Sequence, residues 1–162
     1  MSIHPDGSPN LIRNAQGLAS LEWHGKKLDL YLYTGAEYNG RAWGFDSAQI
    51  ANSPTEGYVG YGSPFFYNSA CYTEAVPSTG VTSGFNPGGL GSKCTADTRA
   101  VIEGTAGFWY RFYSGSRGRF QFGAQYSYVT RQTWSGIGPL GTGVSPEGLD
   151  GMVFTSFRYY LP

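Results

Sequence analysis

The residues able to do chemistry are few and dispersed. Glu22, Asp29, Glu37 and Glu103, with Arg111, Arg119, Arg131 and Arg158, stand on the polar side of alternating polar and apolar stretches. Gathered on one sheet face around an enclosed aqueous space, they would set a transverse field; facing bulk water, they would be ordinary solvated charges. Glu22 and Glu37 could face each other across a first hairpin, with Glu74 or Asp97 joining from a loop. Such a pair is compatible with acid/base work and specific to no reaction.

Other reactive types add little. His4 and His24 are the only histidines, and no metal-ligand spacing joins them to Cys71 and Cys94. GYGSPFF (60–66) and SGSRG (114–118) come near a nucleophile elbow only in composition. NPGGLGS (86–92) follows no strand pattern and opens no helix, so it reads as a loop rather than a phosphate cradle. No catalytic residue, metal or cofactor is assigned. In an oxidising compartment Cys71 and Cys94 would close a loop worth about 3 kcal/mol on the chain-entropy model; otherwise they stand as two thiols.

The chain has 162 residues, 14% of them charged, with Gly 25, Tyr 13, Phe 10 and Trp 4. Eleven basic and eleven acidic residues cancel. No basic stripe suggests nucleic acid, and long-range charge is not the basis of any attraction. No apolar run approaches the roughly 20 residues of a spanning helix, and MSIHPDGSPNLIRNAQ lacks the pattern of a secretory signal. Length predicts one domain over 1–162.

Side chains alternate across a strand, so the elements that position these charges are legible as period-two segments. RFQFGAQYSYVTR (119–131) sets Phe120, Phe122, Ala124, Tyr126 and Tyr128 against Gln121, Gly123, Gln125 and Ser127. The same pattern runs through 18–24, 27–39, 101–113 and 151–162, for five segments in all. Several of them reach the 9–11 residues of a tilted membrane strand, beyond the usual 5–6. Aromatics such as Tyr38, Tyr110, Phe112, Tyr126, Tyr128 and Tyr159 gather toward segment ends, while Gly104 and Ala106 hold a middle. Girdles at a membrane interface have that distribution, and aromatics filling a soluble core would also favour strands.

Connections alternate in length. Gly25-Lys26 and SGSRG are hairpin-like, whereas a long loop of about sixty residues (40–99) and another of nearly twenty separate the remaining segments. The pattern predicts an all-β fold: an antiparallel up-and-down meander of about five long strands with one long loop, part of a β-barrel. The long loop is rich in aromatics, including Trp43, Phe45, Tyr72 and Phe85, among small polar residues, the composition of adaptable recognition surfaces.

GFWYRFYSGSRGRFQFGAQYSYVTR, followed by a loop and MVFTSFRYYLP, resembles the closing hairpin and last strand of porin-like Gram-negative outer-membrane β-barrel proteins. Phe157 and Tyr159 match that family's alternation of aromatics in the last strand, while Leu161-Pro162 departs from its terminal aromatic. The resemblance implies a bacterial outer-membrane location, membrane lipid around the apolar faces, and passage or binding of a small solute. The eight charged residues named above become candidate pore-lining residues, with weak ion preference from their even balance. Five strands ending inside would begin outside, which predicts a C-terminal portion of a larger barrel completed by missing strands or other copies of the chain. A different class remains open: a soluble β-barrel or sandwich that binds a small apolar or carbohydrate ligand, with or without an enzymatic site.

Overall fold

A computed structural model describes residues 2–4, 7–45, 57–69, 71, 94–138, 141 and 143–162. Tyr72, Glu74, Phe85 and the segment 86–92 lie outside them. The described residues contain no helix and form eleven strands. They are β1 (Ser2–Ile3), β2 (Pro9–Asn10), β3 (Asn14–His24), β4 (Leu28–Asn39), β5 (Ala42–Phe45), β6 (Tyr58–Tyr61), β7 (Thr98–Gly115), β8 (Gly118–Thr133), β9 (Gly136–Ile137), β10 (Gly143–Val144) and β11 (Glu147–Tyr160).

The five long strands build one antiparallel sheet in the order β11-β8-β7-β4-β3, so each pairs with the next long strand along the chain. This is the expected meander. β3 and β11 are its edges, and the sheet does not close on itself. Ser116 and Arg117 alone join β7 to β8. Gly118 closes that turn at φ +106°, a left-handed value, and a Cβ there would meet the Tyr159 ring at 3.1 Å.

Two compact units divide the described residues. The strand unit is Gln16–Glu37, Val101–Thr130 and Leu149–Pro162. Its burial runs opposite to that of a water-soluble domain, where apolar side chains go inside. Val153 is 72% and Phe157 68% exposed, while Ser127 is 2% and Gln121 6% exposed. In β4, Asp29, Tyr31 and Tyr33 are half-buried, and Leu30 and Leu32 between them are exposed. Among the described residues Ala42, in the other unit, is the one buried aliphatic or aromatic side chain, with Pro146 of that unit also buried. On the apolar face Phe108, Phe122 and Phe157 touch across β7, β8 and β11, with ring centroids 6.1 and 5.0 Å apart. Phe112, Phe120 and Tyr159 repeat that contact nearer the short turns, at 5.0 and 5.7 Å.

The polar face is the packed one. Tyr31 on β4 lies over Gly107 on β7, and its hydroxyl donates across that strand to Gln125 Oε1 at 3.0 Å. Trp109 on β7 covers Gly123 on β8, where a Cβ would stand 2.6 Å from Trp109 Cε3. Thr105 and Ser127, both buried, share a hydrogen bond of 2.7 Å. Each glycine is a notch that a ring from the neighbouring strand fills, which covers the backbone and holds register.

The second unit comprises Met1–Ala15, Tyr38–Ala100 and Arg131–Gly148. Its small hairpins, β1 with β2, β5 with β6 and β9 with β10, are antiparallel. Buried Asn68 organises it: Nδ2 donates to Trp134 O at 3.1 Å and Val144 O at 3.3 Å, while Oδ1 accepts from Ala96 N at 3.1 Å. Cys71 and Cys94, which the sequence left as either a bridge or two thiols, are joined in a disulfide.

The glycine notches yield a paired test. Gly107→Val forces a side chain into Tyr31 and should lower unfolding stability by about 1–3 kcal/mol. Gly104→Val, on the apolar face with nothing within 4 Å of its Cβ position, should stay within about 0.5 kcal/mol of the parent. Urea titration in detergent micelles reads both; equal losses would mean that the notch is not what matters.

Candidate polar-face site

The short hairpin β3–β4 brings Glu22, His24 and Asp29 together at one end of the polar face. Beside them lies a concavity of about 310 Å³, lined by Glu22, Asp29, Tyr31, Trp109, Gln125 and Arg158 among others. His24 bridges the two acids, with Nε2 3.2 Å from Glu22 and Nδ1 3.4 Å from Asp29. Tyr33 donates its hydroxyl to the other oxygen of Glu22. Arg111 donates from Nη2 to Asp29 at 2.7 Å and to the carbonyl of Gly25. Arg158 sits 3.9 Å from the centroid of the Trp109 ring, a cation–π contact that anchors both.

Of the eight sequence-derived candidates, Glu22, Asp29, Arg111 and Arg158 therefore form one neighbourhood. Arg119 lies 4.3 Å over the Tyr160 ring nearby. Glu37 and Glu103 line a second concavity of about 490 Å³ with Gln16 and Val101. Glu22 and Glu37 thus belong to separate recesses rather than to a facing pair. Arg131 belongs to the other unit, where Nε donates to Thr98 Oγ1 at 2.8 Å and Nη2 to Ala96 O at 2.7 Å. Asp97 is also in that unit and accepts from Gly62 N–H at 2.7 Å.

Tyr31, Tyr33, Trp109, Gln125 and His24, to which charge alone does not point, supply most of the wall. The signal was present: each has the same parity as the charges, and Gly107 and Gly123 at that parity mark where rings lie flat. Flat rings, a fixed amide and anchored charges can hold a polar solute by stacking and hydrogen bonding without covalent chemistry. Among the described residues no group of three His, Cys, Asp or Glu is arranged to hold a metal ion.

Two measurements probe this chemistry. Asp29 and Arg111 are only 15% and 19% exposed, so solvent screens their pairing weakly. A double-mutant cycle with Asp29→Asn and Arg111→Gln should give a coupling of about 1–3 kcal/mol, whereas a value below about 0.5 kcal/mol would mark a screened surface pair. Burial holds the Asp97 carboxyl above the usual carboxylate range, although the Gly62 N–H and the Arg131 charge oppose that shift. The folded state then binds this proton more tightly than the unfolded chain. Its contribution is fully present below the unfolded pKa and is lost as pH rises through the folded one. Asp97→Asn, which keeps an acceptor for Gly62, should exceed the parent in stability most at neutral pH. That advantage should shrink toward about pH 4; an advantage independent of pH would contradict this account.

Comparison with protein-family models, with curated proteins and with solved structures finds no match to this chain, so the site stands on its own geometry.

Proposed function

We propose that this chain is part of the wall of a porin-like outer-membrane β-barrel, its apolar face against lipid and its polar face toward a lumen through which small solutes pass or bind. The inverted burial of the strand unit carries this reading. A sheet that buries Thr105, Gln121 and Ser127 and exposes Leu30, Val153 and Phe157 suits a hydrocarbon exterior and a wet interior.

Other features support it. β7, β8 and β11 have 18, 16 and 14 residues, above the 9–11 or so needed to cross a bilayer at a tilt. Two-residue and three-residue turns alternate with long connections, as in barrels with short periplasmic turns. In lipid the open edges of β3 and β11 require partners, because an unsatisfied backbone group there costs several kcal/mol. Further strands of a longer polypeptide, or other copies of this chain, would supply them. Glu22, Asp29, Glu37, Glu103, Arg111, Arg119 and Arg158 are then lining residues of the lumen, with Arg131 as an eighth.

Tryptophan emission tests the assignment of faces. Trp23 has the apolar parity and is exposed, whereas Trp109 has the polar parity and packs over Gly123. In vesicles of brominated phosphatidylcholine, a variant retaining only Trp23 (Trp43→Phe, Trp109→Phe, Trp134→Phe) should be strongly quenched. One retaining only Trp109 should not. Emission from Trp23 that bromine leaves unchanged would sink the reading.

A further inference from the structure

Basic charge in the strand unit is confined to one end of the strands, which the even overall balance conceals; of the acids, only Glu22 and Asp29 share that end. Glu37, Glu103 and Asp150 stand toward the long-connection ends of their strands. The six basic residues Lys26, Lys27, Arg111, Arg117, Arg119 and Arg158 all stand in the half toward the short turns. Four of these, Lys26, Lys27, Arg111 and Arg119, line one concavity of about 620 Å³ together with Tyr113 and Ser114, and no acidic side chain lines it.

The four cations are not equivalent. Arg111 is neutralised by Asp29. Arg119 is held over Tyr160 by a ring rather than a counter-charge, and among the described residues no carboxylate forms an ion pair with it, Lys26 or Lys27. The Nε–H groups of both Arg111 and Arg119 are buried without a hydrogen-bond partner. Like charges converging on one recess raise the energy of the empty state, and a bound anion relieves it.

We propose that this recess binds a small soluble phosphate-bearing anion. The planar fork of Arg119 matches two phosphate oxygens, the two lysines act as point charges on the remainder, and the Tyr113 and Ser114 hydroxyls supply neutral donors. The volume lies within the range of small-molecule sites and accommodates more than one phosphate group. This site goes beyond the barrel reading and stands on the turn geometry alone, whatever the apolar face meets.

Isothermal titration of the full chain in a neutral detergent, with inorganic pyrophosphate as the probe, tests it. The expected result is saturable one-to-one binding that weakens steeply with added salt. Lys27→Gln combined with Arg119→Gln should weaken it by about tenfold or more, and Lys26→Gln, in the exposed turn, should weaken it without touching the sheet. Glu37→Gln with Glu103→Gln, at the far end, should leave it unchanged. Absence of saturable binding, or binding indifferent to the lysine and arginine changes, overturns the proposal. So does capture of phosphatidylglycerol micelles without any binding of pyrophosphate, which would make a lipid headgroup the ligand. Unquenched Trp23 with intact pyrophosphate binding would reject the barrel and leave this site standing.

Discussion

The structure depends on a sheet whose polar side must satisfy itself. In the strand unit the apolar face is exposed, so stability cannot come from burying a greasy layer against another element of that unit. It comes from the ladders between five long strands and from the polar face, where each large side chain reaches across a neighbouring strand. Tyr31 spans Gly107 to reach Gln125, Trp109 spans Gly123 to meet Arg158, and Arg111 reaches Asp29 and the β3–β4 turn. The two ring contacts fit because Gly107 and Gly123 lie beneath them.

The same principle governs the other unit with different parts. Among the described residues it buries Ser63, Asn68 and Thr133, with Ala42 the one buried aliphatic side chain. Asn68 satisfies three backbone partners from one side chain, and Trp134 donates Nε1–H to Asn39 O at 3.0 Å while Arg41 lies 4.5 Å from its ring centroid. Hydrogen bonds and cation–π contacts hold the irregular backbone of its described residues. The disulfide between Cys71 and Cys94 adds a covalent tie within this unit, which removes loop-closure entropy from the unfolded chain.

Polar-face charges illustrate how packing changes the meaning of composition. Equal numbers of acids and bases suggest an indifferent surface. Strand direction sorts the bases instead: Lys26, Lys27 and Arg117 lie in the short turns with only Glu22 and Asp29 among the acids near them, while Glu37, Glu103 and Asp150 sit toward the opposite ends. A lumen with that wall would be electrically graded along its axis rather than uniform.

Alternation alone determined the five long strands, their meander order and which residues share a face, but not the six short strands, of which β5 and β6 fall inside the expected loop 40–99. Period-two segregation needs no tertiary partner to be visible, and turns of two or three residues leave only one neighbour for each hairpin strand. It did not extend to strand ends: β7 runs from Thr98 to Gly115, further than the apolar pattern at 101–113, because hydrogen bonding to a neighbour continues past the last oily residue. Only the tertiary structure decided which charges meet. The facing of Glu22 and Glu37 failed, and the cluster of Glu22, His24, Asp29 and Arg111 arose, because those contacts depend on axial height and side-chain reach across a strand, neither of which parity encodes. Whether the exposed face was apolar or polar also lay beyond any pattern count. Alternation is symmetric between the two sides, and the direction of burial is set by which side chains interlock over the glycines.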